Sequence, residues 1–142
     1  MQFTTASFPA ELTSLKKILE FLRACAKDAR FSTNDLDRLD LVIEEIAVNV
    51  IRYAYSGGGI GPLQIDCAVL REGELLVRIA DRGAPFDPLT KPDPDRQLVL
   101  QDRPVGGLGV FLVKQLVSAI SYARSDGWNR LSLQFRSEPG AK

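Results

Sequence analysis

The chain has 142 residues, of which 45% are apolar and 25% charged, so it is the size of one ordinary domain and can bury a core. Its 18 basic and 18 acidic residues cancel, which argues against nucleic acid as a partner, since a phosphate-backbone binder shows a basic excess. There is no histidine, which excludes histidine triads, histidine metal ligands and an internal phosphoacceptor histidine, and leaves acid/base work to carboxylates, lysine, tyrosine or cysteine.

The N-terminal MQFTTASFPAEL has no basic stretch leading into an apolar core, and no apolar run is of membrane-spanning length; no membrane partner is expected, and a cytoplasmic protein is. FTTAS can form a first strand. From Pro9 to about Arg30, apolar residues at Leu12, Leu15, Ile18, Leu19, Leu22 and Ala26 recur at the spacing of one helix face. Ser32, Thr33 or Asn34 can cap a second helix that runs to about Tyr55 and stops at SGGG. Leu39, Val42, Ile43, Ile46, Val50 and Ala54 supply its core side. Cys25 and Cys67 lie far apart and form no CxxC, so neither a zinc site nor a disulfide is expected, in keeping with a reducing compartment.

PLQIDCAVL and ELLVRIAD alternate apolar with polar residues and read as a β-hairpin joined across Arg71, Glu72 and Gly73. Next comes PFDPLTKPDPDRQLVLQDRPV, rich in proline and charge, as lids and binding loops are. A third helix is expected from Leu108 to about Ser118, followed by strands ISYARS and NRLSLQF turned at Asp126 and Gly127. The order of elements predicts a single α/β domain over residues 1–142, a two-layer sandwich of a mixed, largely antiparallel sheet with helices on one face.

Three places could carry chemistry. In LDLVIEEIAVNVIRYAY, Glu45 and Asn49 are four residues apart and share a helix face, with Arg52 and Tyr53 one turn on; a plain amphipathic helix is the alternative, although asparagine is a poor helix former. In IADRGAPFD, Asp81 can accept a hydrogen bond from an exocyclic amine at the strand end, and Gly83 lets a flat ring approach; a strand-ending turn is the alternative. In GGLGVFLVKQLV, amides around Gly106, Gly107 and Gly109 ahead of a helix suit phosphate, or simply cap the helix.

These motifs, in this order, resemble the N, G1 and G2 boxes of the GHKL ATPases. EEIAVNVIRYAY and SYARSDGWNRLSLQF are similar to the anti-sigma factor serine/threonine kinases that act on STAS-domain antagonists. The resemblance implies ATP and Mg2+ as cofactors, Glu45 as general base, Asn49 as magnesium ligand, Asp81 as acceptor of the adenine amine, and Gly83 beneath the base. It places Phe86 on the pocket wall, Gly106, Gly107, Leu108 and Gly109 under the phosphates, residues 88–105 as an ATP lid, and Ser132 near the adenine. Tyr53 stands where the family commonly has a histidine. The implied partners are a STAS-domain anti-anti-sigma protein, a sigma factor and a second copy of the chain as homodimer. A nucleotide-responsive binding module without efficient phosphotransfer, and a histidine kinase catalytic domain acting in trans, are the alternative functions.

Overall fold

The structure, a computed structural model, describes residues 2–90 and 107–138. Its elements are β1 (Thr4–Pro9), a 3-10 turn (Leu12–Ser14), α1 (Leu15–Asp28), α2 (Thr33–Asn49), a π-helical turn (Val50–Ala54), β2 (Pro62–Arg71), β3 (Glu74–Asp81), α3 (Gly107–Leu116), β4 (Ala119–Ser125) and β5 (Trp128–Arg136). The strands form one sheet in the order β1-β2-β3-β5-β4. Every pairing is antiparallel, so among the described residues the sheet has none of the parallel pairing that a mixed sheet would contain.

Alternation along the strands gives the sheet two unlike faces. Leu63, Ile65 and Cys67 of β2, Leu75, Val77 and Ile79 of β3, and Leu131, Leu133 and Phe135 of β5 are buried together with Ile18 and Leu22 of α1, Leu39 and Ile43 of α2, and Val113 of α3. Each fully buried aliphatic side chain contributes roughly 1.5–3 kcal/mol relative to exposure, which makes this one-sided core the main source of cohesion. The other face carries Gln64, Asp66, Arg78, Arg130, Ser132 and Gln134. Leu12, expected on the first helix face, lies in the 3-10 turn before α1 and is exposed.

The start of α2 is fixed by a reciprocal cap. Ser32 Oγ accepts the Asp35 amide at 3.2 Å while Asp35 Oδ2 accepts the Ser32 amide at 3.0 Å, which satisfies two of the donors a helix start leaves free. Asp35 is itself 1% exposed and also accepts from Ser137 Oγ at 2.8 Å and the Glu138 amide at 3.2 Å, so the cap is tied to the chain beyond β5. The β4–β5 turn forms at Asp126 and Gly127, whose φ values of 54° and 82° fit a two-residue hairpin loop.

One expectation is corrected. Cys25 on α1 and Cys67 on β2 form a disulfide across a sequence separation of 42 residues. Their spacing in sequence carries no trace of this, because the two sulfurs meet only when α1 packs on β2.

Candidate active site

Glu45 lies on the last turns of α2, half-buried, whereas Glu44 beside it is exposed. The helix therefore separates the adjacent carboxylates, and Glu45 is the one turned toward the rest of the fold. What it meets is α3. A Cβ placed on Gly109 would stand 2.2 Å from Glu45 Oε2 and 3.1 Å from its Cδ, so only glycine lets the first turn of α3 lie against this carboxylate. That turn carries backbone N–H groups with no partner inside their own helix, and the positive end of the helix dipole. Gly107 and Leu108 form the preceding residues of the same turn.

Asn49 ends α2 one turn beyond Glu45. Among the described residues its amide has no hydrogen-bond partner, and no cluster of three or more carboxylate, cysteine or histidine side chains could hold a metal on its own. A neutral amide oxygen fits Mg2+, which keeps several waters and takes one or two protein oxygens together with substrate phosphates. After Asn49 the chain widens into a π turn, a geometry common at functional sites. Tyr53 is 50% exposed there, and Tyr55 rather than Ala54 returns to the core.

The second half of the site is the end of β3. Asp81 is 7% exposed, and its Oδ1 accepts the Gly83 amide at 2.9 Å and Asn129 Nδ2 at 2.9 Å. Among the described residues nothing donates to Oδ2, which stays available as an acceptor. Gly83 is required by a close approach: a Cβ there would stand 2.2 Å from the carbonyl oxygen of Ala54 and 2.7 Å from its carbon. The turn after Asp81 and the π turn after Asn49 thus touch backbone to backbone, which joins the two halves. Tyr55 reinforces the joint, its hydroxyl donating to Pro62 O and accepting the Arg82 amide at 2.7 Å. Burial is the main cause that raises the Tyr55 hydroxyl above its ordinary range; the Arg82 amide offsets part of this and the Asp81 charge adds to it. It is a proton donor at neutral pH. Phe86 is 51% exposed beside this turn.

Ser132 does not reach this place. It pairs with Arg78 in the β3–β5 register, while Asp81 pairs with Asn129, so Ser132 sits three residues along the strand and on the opposite face. The residue across from Asp81 is Asn129. Gly106 and, from residue 91 on, the expected lid lie outside the described residues.

An acceptor oxygen at the end of an inner strand, joined through a helix terminus to a carboxylate packed on a glycine-opened helix, is an arrangement suited to a flat base at one end and phosphates at the other. Residues 8–135 match the family model of the Histidine kinase-like ATPase domain, and the chain belongs to that family. Within it, the chain is 30% identical to the serine/threonine-protein kinase BtrW of Bordetella bronchiseptica, an alignment covering 95% of this chain and 94% of the relative. It is 27% identical to the serine-protein kinase RsbW of Listeria monocytogenes, over 94% of this chain and 87% of the relative. A crystal structure of RsbU and RsbW domains from Mycobacterium tuberculosis superposes with a TM-score of 0.64 at 14% identity, covering 96% of this chain and 32% of that longer one, which is a likeness of fold. No helix among the described residues is long and apolar enough to cross a membrane.

Proposed function

We propose that the protein is an anti-sigma regulatory factor that uses ATP to phosphorylate a serine or threonine of a STAS-domain antagonist, and that it acts in the cytoplasm as a homodimer that also binds a sigma factor. The observation that carries this reading is the contact between Glu45 and Gly109, which sets a carboxylate beside the start of the helix whose amides suit phosphate.

Phosphoryl transfer needs positioning and charge compensation more than covalent chemistry. Asp81 Oδ2 would accept the adenine amine, Gly83 and Phe86 would border the base, and Gly106, Gly107, Leu108 and Gly109 would lie under the phosphates. Mg2+ held by Asn49 would supply charge compensation between the phosphates. Glu45 would take the proton of the attacking hydroxyl, work that a half-buried carboxylate can do without histidine. Full names on the two relatives, a serine/threonine-protein kinase and a serine-protein kinase, support the choice of acceptor.

Incubation with labelled ATP, magnesium and candidate STAS proteins tests the class, and two variants test the assignment. Asn49→Ala should weaken Mg-ATP binding. Glu45→Ala should leave binding nearly intact and slow transfer by roughly 10²- to 10⁴-fold, the range of a lost general base. Transfer by Glu45→Ala at the parental rate would remove the kinase mechanism and leave a nucleotide-responsive binding module.

A further inference from the structure

Asn129, the second residue of β5, lies on the inner face of the sheet directly across from Asp81, and is 6% exposed. A buried amide needs partners for both of its ends, and this one has them. Its Nδ2 donates to Asp81 Oδ1 at 2.9 Å and to the Ala84 carbonyl at 3.0 Å. Its Oδ1 accepts from the Tyr122 hydroxyl and from Arg124 Nη1 at 3.2 Å. The same Arg124 nitrogen donates to the Gly83 carbonyl at 2.7 Å. The neighbours dictate which way the amide points: reversed, its NH2 would face the N–H groups of Arg124 and of the Phe86 backbone, which donates to Oδ1 at 3.4 Å, and its oxygen would face a carboxylate and a carbonyl. Two β4 side chains therefore lock Asn129, and Asn129 locks Asp81 together with the turn behind it.

We propose that Asn129, held by Tyr122 and Arg124, is a positioning residue that sets the preference of this site for adenine over guanine nucleotides. The proposal rests on Asp81 being the acceptor for the base amine. At the relevant ring position adenine presents an N–H donor and guanine a carbonyl oxygen. A fixed carboxylate oxygen accepts from the first and repels the second. This discrimination lasts only while Oδ2 itself faces the base. Asp81 Oδ1 carries two hydrogen bonds, and with one of them gone the carboxylate can turn and recruit water. A bridging water donates to a guanine carbonyl as readily as it accepts from an adenine amine, so selectivity drops while the phosphate end of the site is untouched.

The test measures competitive binding of ATP and GTP, the KM for ATP and the kcat of phosphotransfer, with thermal unfolding as control, in the parental protein, Asn129→Ala and Tyr122→Phe. The ATP-to-GTP preference should fall about tenfold in Asn129→Ala, the scale of one lost hydrogen bond to a charged group, and by a smaller factor in Tyr122→Phe. The KM for ATP should rise with kcat retained. The double variant should lose little beyond Asn129→Ala, because the hydroxyl acts through the amide. Should Asn129→Ala not fold, Tyr122→Phe decides, since it removes a single oxygen. An unchanged ATP-to-GTP ratio in the folded variants overturns the proposal. A parental protein that binds neither nucleotide overturns the reading of the site itself; one that binds both equally overturns the selectivity alone.

Discussion

Replacing Gly109 by alanine should make the protein no less stable and much slower, a combination that few substitutions give. In a helix, alanine is favoured over glycine by about 0.5–1 kcal/mol, somewhat less in the first turn. Against this stands the steric conflict. The new Cβ would lie 2.2 Å from Glu45 Oε2, where contacts under 3.0 Å essentially never occur. The obstructing atom is the far end of a flexible, half-buried side chain, so the carboxylate gives way at small cost and the helix keeps its gain. To give way, it retreats by about 1 Å from the place where it would meet the attacking hydroxyl, and a misplacement of that size costs about 10²-fold in rate. Thermal unfolding reads the first effect; at this chain length 1 kcal/mol corresponds to about 4 °C. Single-turnover phosphotransfer at saturating ATP reads the second. A variant that phosphorylates its partner at the parental rate would refute the reasoning, because Glu45 would then not need the place that Gly109 leaves for it. A Tm lowered by many degrees would refute the claim that the side chain yields cheaply.

Gly83→Ala should behave in the opposite way: the obstruction is the Ala54 backbone, which cannot swing aside, so both Tm and ATP affinity should fall, and a parental Tm would count against the backbone contact. Asp81→Asn keeps an oxygen for Gly83 and Asn129 but puts an NH2 where Oδ2 was, so ATP affinity should drop by about 10- to 100-fold in calorimetry, and unchanged affinity would remove Asp81 from the base site. Asp35 titrates below its ordinary range, since hydrogen bonds from Ser32, Ser137 and Glu138 outweigh the burial that pushes the other way. A depressed folded value gives stability that is present above the unfolded value near about pH 4 and is lost as pH falls through the lower folded value. Asp35→Asn should therefore cost about 1–3 kcal/mol at neutral pH in urea melts, with the gap to the parent closing in acid; a gap independent of pH would show that the charge contributes nothing.

The elements were legible because each obeys a local rule. Apolar spacing marks α1 and α2, Ser32 is one of three cap candidates ahead of α2, and Asp126-Gly127 marks the last hairpin. Glu45 could be told from Glu44 by its four-residue step to Asn49, and α3 indeed lies on that side. What escaped depends on contacts distant in sequence. The Cys25–Cys67 bond requires knowing that α1 lies over β2. The reason for Gly83 is the Ala54 carbonyl, nearly thirty positions earlier in the chain. Asn129 was missed although a signal existed: the apolar residues Leu131, Leu133 and Phe135 alternate along β5 and are buried, so odd positions face inward with Asp81, and Ser132, an even position, faces away.

The wide turn at Val50–Ala54 has a consequence for how the domain tolerates change. A π turn closes over one residue more than an α turn does, so the chain takes up an extra residue between the end of α2 and Tyr55, while Val50, Ile51 and Tyr55 all pack against the core. The turn separates two surfaces with different demands. Upstream, α2 is timed to the sheet beneath it; downstream, Tyr55 is timed to Pro62 and Arg82 at the strand ends. Substitutions in the core of α2 and substitutions around the base can therefore accumulate separately, whereas removing a single residue between them would bring both surfaces back into one register and satisfy neither.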